Sequence, residues 1–120
     1  VSVRKAALEV LPHMCEKVHA QAIMAVIGRL GDENVRMRQA ALRTLPQICE
    51  KGHQQVITAV IGRLGDAKEG VRWAAVACLP QVCEKGHEQA IMAAIDRLED
   101  ASGRIREAAV ETLHKICPKG

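Results

Sequence analysis

The chain almost lacks aromatic residues: its 120 residues include one tryptophan and no phenylalanine or tyrosine. Proteins that bind single-stranded nucleic acid commonly stack bases on aromatic rings, so this mode of binding is not indicated. No apolar run approaches the about 18 residues that a membrane span needs, and nothing resembles a cleavable signal. The formal net charge of +3 is also small, so the composition by itself demands no acidic partner.

An initiator methionine is missing as well, and the chain begins inside a repeated unit. We therefore expect a fragment of a longer array. The cysteine count of five is odd, which favours reduced thiols and predicts an intracellular, cytoplasmic location.

What the sequence does contain is one unit repeated at a fixed interval. Two columns of residues, each spaced by 34, mark it without insertion or deletion: Leu11, Leu45, Leu79 and Leu113, and Cys15, Cys49, Cys83 and Cys117. Such self-similarity is typical of stacked repeats, in which each unit buries its apolar face against its neighbours. We expect one solenoid domain over residues 1–120, with repeats at 3–36, 37–70 and 71–104 and a half repeat at 105–120.

Each repeat is predicted to contain two amphipathic helices. In the first repeat, apolar residues recur at helical spacing over 3–17 and again over 20–30. Gly52 and Gly86 follow the later first helices, where a left-handed cap residue is expected. Val18 has this position in the first repeat, and a β-branched residue tolerates positive φ poorly, so that turn should differ. The prediction is an all-α chain of seven helices in antiparallel pairs.

A motif recurs around the three turns between repeats: an aspartate, then a hydrophobic residue followed by arginine, then Ala-Ala. The residues are Asp32, Met37, Arg38, Ala40 and Ala41; Asp66, Val71, Arg72, Ala74 and Ala75; and Asp100, Ile105, Arg106, Ala108 and Ala109. With a proline inside the first helices, the pattern resembles the HEAT repeat in its short, phycobilisome-lyase-like form. The resemblance implies a right-handed α-solenoid of three and a half repeats that serves mostly as a protein–protein scaffold.

The resemblance also implies that arginines and aspartates pair in a ladder between repeats, formed by Asp32, Arg38, Asp66, Arg72, Asp100 and Arg106. The alternative is a phosphate-binding stripe, because evenly spaced arginines, with Arg4 as the first, can follow a nucleic-acid backbone. The ladder is favoured because an aspartate accompanies all of them except Arg4. Further basic columns could also meet phosphates, but acidic neighbours favour a locally neutralised surface: Arg29, Arg63 and Arg97, and Lys17, Lys51, Lys85 and Lys119.

A Cys-x-x-x-His motif occurs three times and invites a zinc interpretation. Gly52 and Gly86, however, break the helix between the two residues, and equivalent cysteines on neighbouring helices lie beyond disulfide reach. We expect buried cysteines, histidines in the first turn of the second helices, and no metal or cofactor. A lyase, or an iron enzyme like the HEAT-like deoxyhypusine hydroxylase, is a minor alternative, but only one His-Glu pair is present, His87-Glu88. We therefore predict no enzymatic activity.

The second helices carry the clearest binding signal. The resemblance implies that they line the concave side, and their non-core residues fall at i, i+3, i+4 and i+7, which makes one stripe. This stripe consists of Gln21, Met24, Ala25, Gly28, Gln55, Thr58, Ala59, Gly62, Gln89, Met92, Ala93 and Asp96. Flexible methionines beside small residues suit a groove for an apolar peptide or helix. The alternative is that Gly28 and Gly62 let neighbouring second helices pack tightly.

The predicted function is therefore a non-enzymatic scaffold that holds a protein or peptide segment on its concave face. The alternative is a nucleic-acid-binding solenoid, whose affinity would fall steeply with salt. No membrane association is expected.

The ends of the array and one tryptophan complete the sequence-based expectations. Neither the first helix nor the unpaired helix over 105–117 has the polar outer face of a capping repeat. We expect end-to-end association or helix exchange between copies. Trp73 stands where solvent is expected, either as an interface anchor or as a ring lying across a neighbouring helix.

Overall fold

The computed structural model describes residues 2–118, with side chains described from Glu16 onward. These residues form six α-helices: α1 Ser2–Arg29, α2 Val35–Ile48, α3 Gln54–Gly62, α4 Glu69–Val82, α5 Glu88–Asp96 and α6 Gly103–Ile116. A short 3-10 helix at Arg97–Glu99 follows α5. Within the described range there is no strand, and no helix is long and apolar enough to cross a membrane. The predicted all-α architecture is confirmed.

The helices stack in series and give an elongated molecule. First helices pack side by side, α2 on α4 and α4 on α6, while α3 packs on α4 and α5 packs on α6. The radius of gyration of 17.1 Å exceeds the about 14 Å of a compact domain of this length. The extents of 63 × 40 × 16 Å are those of a flat α-solenoid.

The core of the solenoid lies where the two kinds of helix meet. Its fully buried side chains come from the apolar stripes of α2 to α6, among them Leu42, Leu45, Val56, Ile57, Val76 and Leu79. The stripes recur at the spacing of one helical face, so each repeat buries its apolar side only against adjacent repeats.

The first repeat does not form the predicted helix pair. The expected helices over 3–17 and 20–30 are one helix, α1, of 28 residues, so the prediction of seven helices is wrong. At the equivalent turns Gly52 and Gly86 have φ values of 93° and 84°. Val18 would crowd its own backbone at such a φ, and the helix instead continues through this residue, leaving its side chain 61% exposed.

The two glycine turns also form hydrogen bonds to the repeat that follows. The Gly52 N–H donates to the Val82 carbonyl at 2.8 Å, and the Gly86 N–H donates to the Ile116 carbonyl at 2.7 Å. These carbonyls end α4 and α6, where a helix leaves its last acceptors without partners of its own. Each turn therefore caps the first helix of the next repeat.

Histidines are the N-cap residues of the second helices α3 and α5. His53 Nδ1 accepts the Val56 N–H at 3.4 Å, and His87 Nδ1 accepts the Ala90 N–H at 3.2 Å. Each histidine is thus the N-cap residue, one position before the predicted first turn, and it satisfies an amide that the helix itself leaves free.

Candidate functional site

Arginines and aspartates connect successive turns of the solenoid. Arg38 Nη2 donates to Asp66 Oδ1 at 3.3 Å, and Arg72 donates from Nε and Nη2 to the two Asp100 oxygens at 3.0 and 3.3 Å. Arg38 Nε lies 3.1 Å from Asp66 Oδ2, within ion-pair distance, although it makes no hydrogen bond. Both carboxylates are nearly buried, with exposed fractions of 5% and 3%. Each arginine thus reaches the aspartate of the following turn, whereas the sequence motif had grouped it with the preceding one.

The same arginines hold the backbone of the turn before their own helix. Three hydrogen bonds recur: Arg38 Nη1 to the Asp32 carbonyl at 2.7 Å, Arg72 Nη1 to the Asp66 carbonyl at 3.0 Å, and Arg106 Nη1 to the Asp100 carbonyl at 2.6 Å. One guanidinium therefore joins the backbone of one turn to the carboxylate of the next. Arg106 makes only the backbone contact among the described residues, while the side chain of Arg4, expected to lack an aspartate, lies outside them.

Asp100 is the most heavily engaged of the three aspartates. Besides Arg72, it accepts the Ser102 N–H at 2.9 Å and an Arg97 hydrogen bond at 3.3 Å. Burial by itself raises the pKa of this carboxyl, but the Ser102 amide and Arg72 outweigh burial and hold the pKa below its usual value. Asp32, by contrast, is 25% exposed and has Arg29 as its charged partner at 3.5 Å.

The column of arginines at the ends of the second helices is also paired. Arg29, Arg63 and Arg97 lie 3.5, 3.6 and 3.3 Å from the aspartates three residues later. An arginine already paired with a carboxylate would have to give up that partner to bind a phosphate. For this column the geometry therefore favours the locally neutralised surface over phosphate binding.

The environments of Cys49, Cys78 and Cys83 indicate structural rather than reactive cysteines. Cys83 donates its thiol to the Leu79 carbonyl at 2.9 Å, and burial raises the pKa of Cys78 to about 12. Burial also raises the pKa of Cys49 and Cys83, which disfavours the reactive thiolate. From residue 16 to residue 118, no group of three His, Cys, Asp or Glu side chains could hold a metal ion.

The predicted stripe on the second helices lies at the surface of the protein. Met24 and Met92 are 49% and 68% exposed, while Ala59 and Ala93 are half-buried. The remaining members are exposed: Gln21, Ala25, Gly28, Gln55, Thr58, Gly62, Gln89 and Asp96. We refer to this stripe below as the second-helix face.

The two glycines of the second-helix face border open space. A Cβ atom built on Gly28 or Gly62 would meet nothing within 4 Å beyond the local backbone. Tight packing between second helices therefore does not account for either glycine. Both stand in the last turn of a helix, where the cost of glycine is smaller than in the interior.

A polar network joins α3 to α5 beside this face. The Gln54 amide donates to Gln89 Oε1 at 3.2 Å and to Thr58 Oγ1 at 3.1 Å, and its oxygen lies 3.3 Å from His87 Nε2. Sequence reasoning missed Gln54 because the equivalent residues, Ala20 and Glu88, give no periodic signal. The network fixes two members of the face, Thr58 and Gln89, in place.

Trp73 packs towards a neighbouring helix. The Arg104 guanidinium of α6 lies 4.7 Å from the centroid of its ring, and 37% of the residue remains exposed. Such a cation–π contact stabilises the side chain against α6. This matches the second of the two alternatives for Trp73, a ring lying across its neighbour.

Helix pairs stacked in series and joined by an ion-pair ladder define an α-solenoid repeat protein. A family model described as HEAT repeats matches residues 1–80, more than half of the chain, and the chain therefore belongs to the HEAT-repeat family. A second model, described as HEAT repeat associated with sister chromatid cohesion, matches residues 88–113. The comparison with curated proteins gives no match. The HEAT resemblance drawn from the Asp–Arg motif is confirmed.

Proposed function

We propose that this chain is a non-enzymatic scaffold module that holds a protein or peptide segment on the second-helix face, the predicted concave side. HEAT repeats commonly act as protein-interaction scaffolds, which supports the proposal at the level of class. The observation that carries it is that exposed, flexible methionines and glycines without close neighbours lie on the same helix face. Met92 is 68% exposed, and the space above Gly62 is open.

The chemistry of the face fits an amphipathic helix as the bound segment. Methionine side chains adapt to apolar partners of varied shape, and the glycines permit close approach of another backbone. Gln55 and Asp96 are exposed along the same stripe. They offer polar contacts at its margin, so a partner helix with an apolar face and a basic flank suits the site best.

The proposal also assigns structural roles to the histidines and cysteines, the side chains that could otherwise act in catalysis. The two described histidine caps are occupied by backbone amides, and the raised pKa of Cys78 keeps its thiol protonated at neutral pH. Free cysteines are consistent with the reducing, intracellular setting that we propose. The cohesion-associated match covers only α5 and part of α6, so we propose no role in cohesion.

Selection from a displayed library of random helical peptides tests this function. We expect enriched peptides to bind the wild-type chain and to lose at least about tenfold in affinity on Met92→Glu, because the charge would lie within the apolar contact. Gln81→Glu, at an exposed position on a first helix, is the matched control and should leave binding unchanged.

Two results would overturn the proposal. One is a set of selected peptides that bind Met92→Glu as tightly as the wild type. The other is the absence of enriched peptides together with measurable binding of labelled DNA or RNA whose affinity falls steeply with salt, which would favour the nucleic-acid alternative.

A further inference from the structure

The first helices α2, α4 and α6 are copies of one sequence unit and therefore serve as an internal comparison. In α4, residues Val76 and Leu79 are buried, but their equivalents in α6, Val110 and Leu113, are exposed and half-buried. These positions thus face the first helix that follows, and α6 has none among the described residues. A second column of positions behaves in the opposite way.

This second column faces the first helix that precedes. Its members are Val71, Cys78 and Val82 in α4, Ile105, Thr112 and Ile116 in α6, and Met37, Thr44 and Ile48 in α2. All six members in α4 and α6 are buried, whereas Met37 is 43% exposed and Thr44 and Ile48 are half-buried. In α2, the side that would receive a preceding first helix is therefore only partly covered by the described side chains.

A threonine hydroxyl gives independent support for this conclusion. Thr112 of α6 donates to the Val76 carbonyl of the preceding first helix at 3.1 Å. Thr44, its equivalent in α2, donates at 2.8 Å to the Ala40 carbonyl of its own helix. By the repeat register, the acceptor corresponding to Val76 would be the carbonyl of residue 8, which lies in the N-terminal half of α1.

The N-terminal half of α1 has the sequence of the missing neighbour. Residues 3–17 align without a gap with 37–51 and 71–85, which contain most of α2 and α4, and Leu8 and Leu11 have the repeat positions of the buried Leu42 and Leu45. Because α1 continues through Val18, this segment cannot fold back onto α2 of its own chain.

We propose that residues 2–17 of a second copy cover α2, in exchange for the same segment of the first copy. Each segment then has the place that a first helix has in the later repeats. Since the two helices of a HEAT repeat run in opposite directions, the two α1 helices of the dimer lie antiparallel along their length. The partner for this surface is thus a second copy of this chain, and the exchange does not involve the second-helix face.

Sedimentation equilibrium of the 120-residue chain and two Val18 variants tests the exchange. We expect the wild type to form a dimer. Val18→Gly should weaken it by about a hundredfold, because glycine permits the closed turn in both chains. Val18→Ala, which favours helix and not positive φ, is the matched control and should stay dimeric. A wild type that stays monomeric up to millimolar concentration, or a Val18→Gly variant as dimeric as the wild type, overturns the proposal.

A second pair of variants keeps the test decisive if Val18→Gly fails to fold. Met37→Glu places a charge in the partly covered column and should dissociate the dimer without loss of the helical circular dichroism signal. Met92→Glu makes the same substitution on the second-helix face and should leave the dimer intact. Dissociation by both variants, or by Met92→Glu alone, would contradict helix exchange on α2.

Discussion

The first and third repeats differ in how well each is joined to its neighbours. In the third repeat a glycine at positive φ turns the chain, and Asp100 is almost fully buried against two arginines. In the first repeat α1 continues through Val18, and Asp32 is 25% exposed, with an ion pair to Arg29 at 3.5 Å among the described side chains. The amphipathic pattern is the same in both. The cap residue differs, with valine at position 18 and glycine at position 86, and the Val18 variants test whether this residue determines the closure of the pair.

The largest expected difference lies in the aspartates. Asp100→Ala should lower the free energy of unfolding by about 3 kcal/mol, because it leaves the mostly buried Arg72 without its carboxylate. Asp32→Ala should cost less than about 1 kcal/mol, since this carboxylate is 25% exposed and its described ion pair, with Arg29, lies in solvent. Urea unfolding at neutral pH measures both values. Equal losses would show that the ladder does not strengthen along the chain.

The glycine turn is expected to give the next largest effect. Gly86→Val should cost about 2 kcal/mol, because valine strains the left-handed backbone and weakens the hydrogen bond to the Ile116 carbonyl. Gly62→Ala is the control, since this glycine lacks a positive φ and its Cβ would meet open space. The control should be neutral or slightly stabilising. A loss of stability in Gly62→Ala would argue against the open space seen there.

The histidines extend the comparison to the second helices. His87→Ala removes an N-cap acceptor and should cost about 1 kcal/mol in thermal or urea unfolding. His19 stands at the same repeat position but lies inside α1. His19→Ala should be neutral or stabilising, because alanine is the better helix former. A similar loss in both variants would indicate that His19 also caps a helix, and that α1 is broken in solution.

The smallest expected effect is on the acid side of the stability profile. The pKa of Asp100 is lowered in the folded state, so its carboxylate stabilises the fold above about pH 4. This contribution is lost as the pH falls through the lowered pKa. Asp100→Asn should therefore be less stable at neutral pH and show a shallower decline below about pH 4, measured by urea unfolding across that range. An unchanged slope would exclude Asp100 as a source of the acid sensitivity.

The sequence predicted the solenoid and the positions of its helices because apolar periodicity and the 34-residue interval are local signals. The fusion of the first two helices could be anticipated only in part. Val18 indicated an altered turn. The sequence did not predict that the turn would be absent and that one helix would run through residues 15–20. The binding role of the second-helix face stays a prediction.

The direction of the ladder could not be read from the sequence. Arg38 comes shortly after Asp32 and well before Asp66, and only the stacking of the repeats shows that its carboxylate partner is Asp66. Gln54 was missed for a related reason, because a contact between repeats need not recur in every copy.

Arg38 and Arg72 each make two contacts that bear on how the molecule would respond to force. Arg72 holds the backbone of one turn and the carboxylate of the next, so two coils must separate before it is released. A molecule pulled from its two ends should therefore lengthen in steps, with one repeat separating at a time. The first step is expected beside α2, because Asp32 is the most exposed of the three turn aspartates.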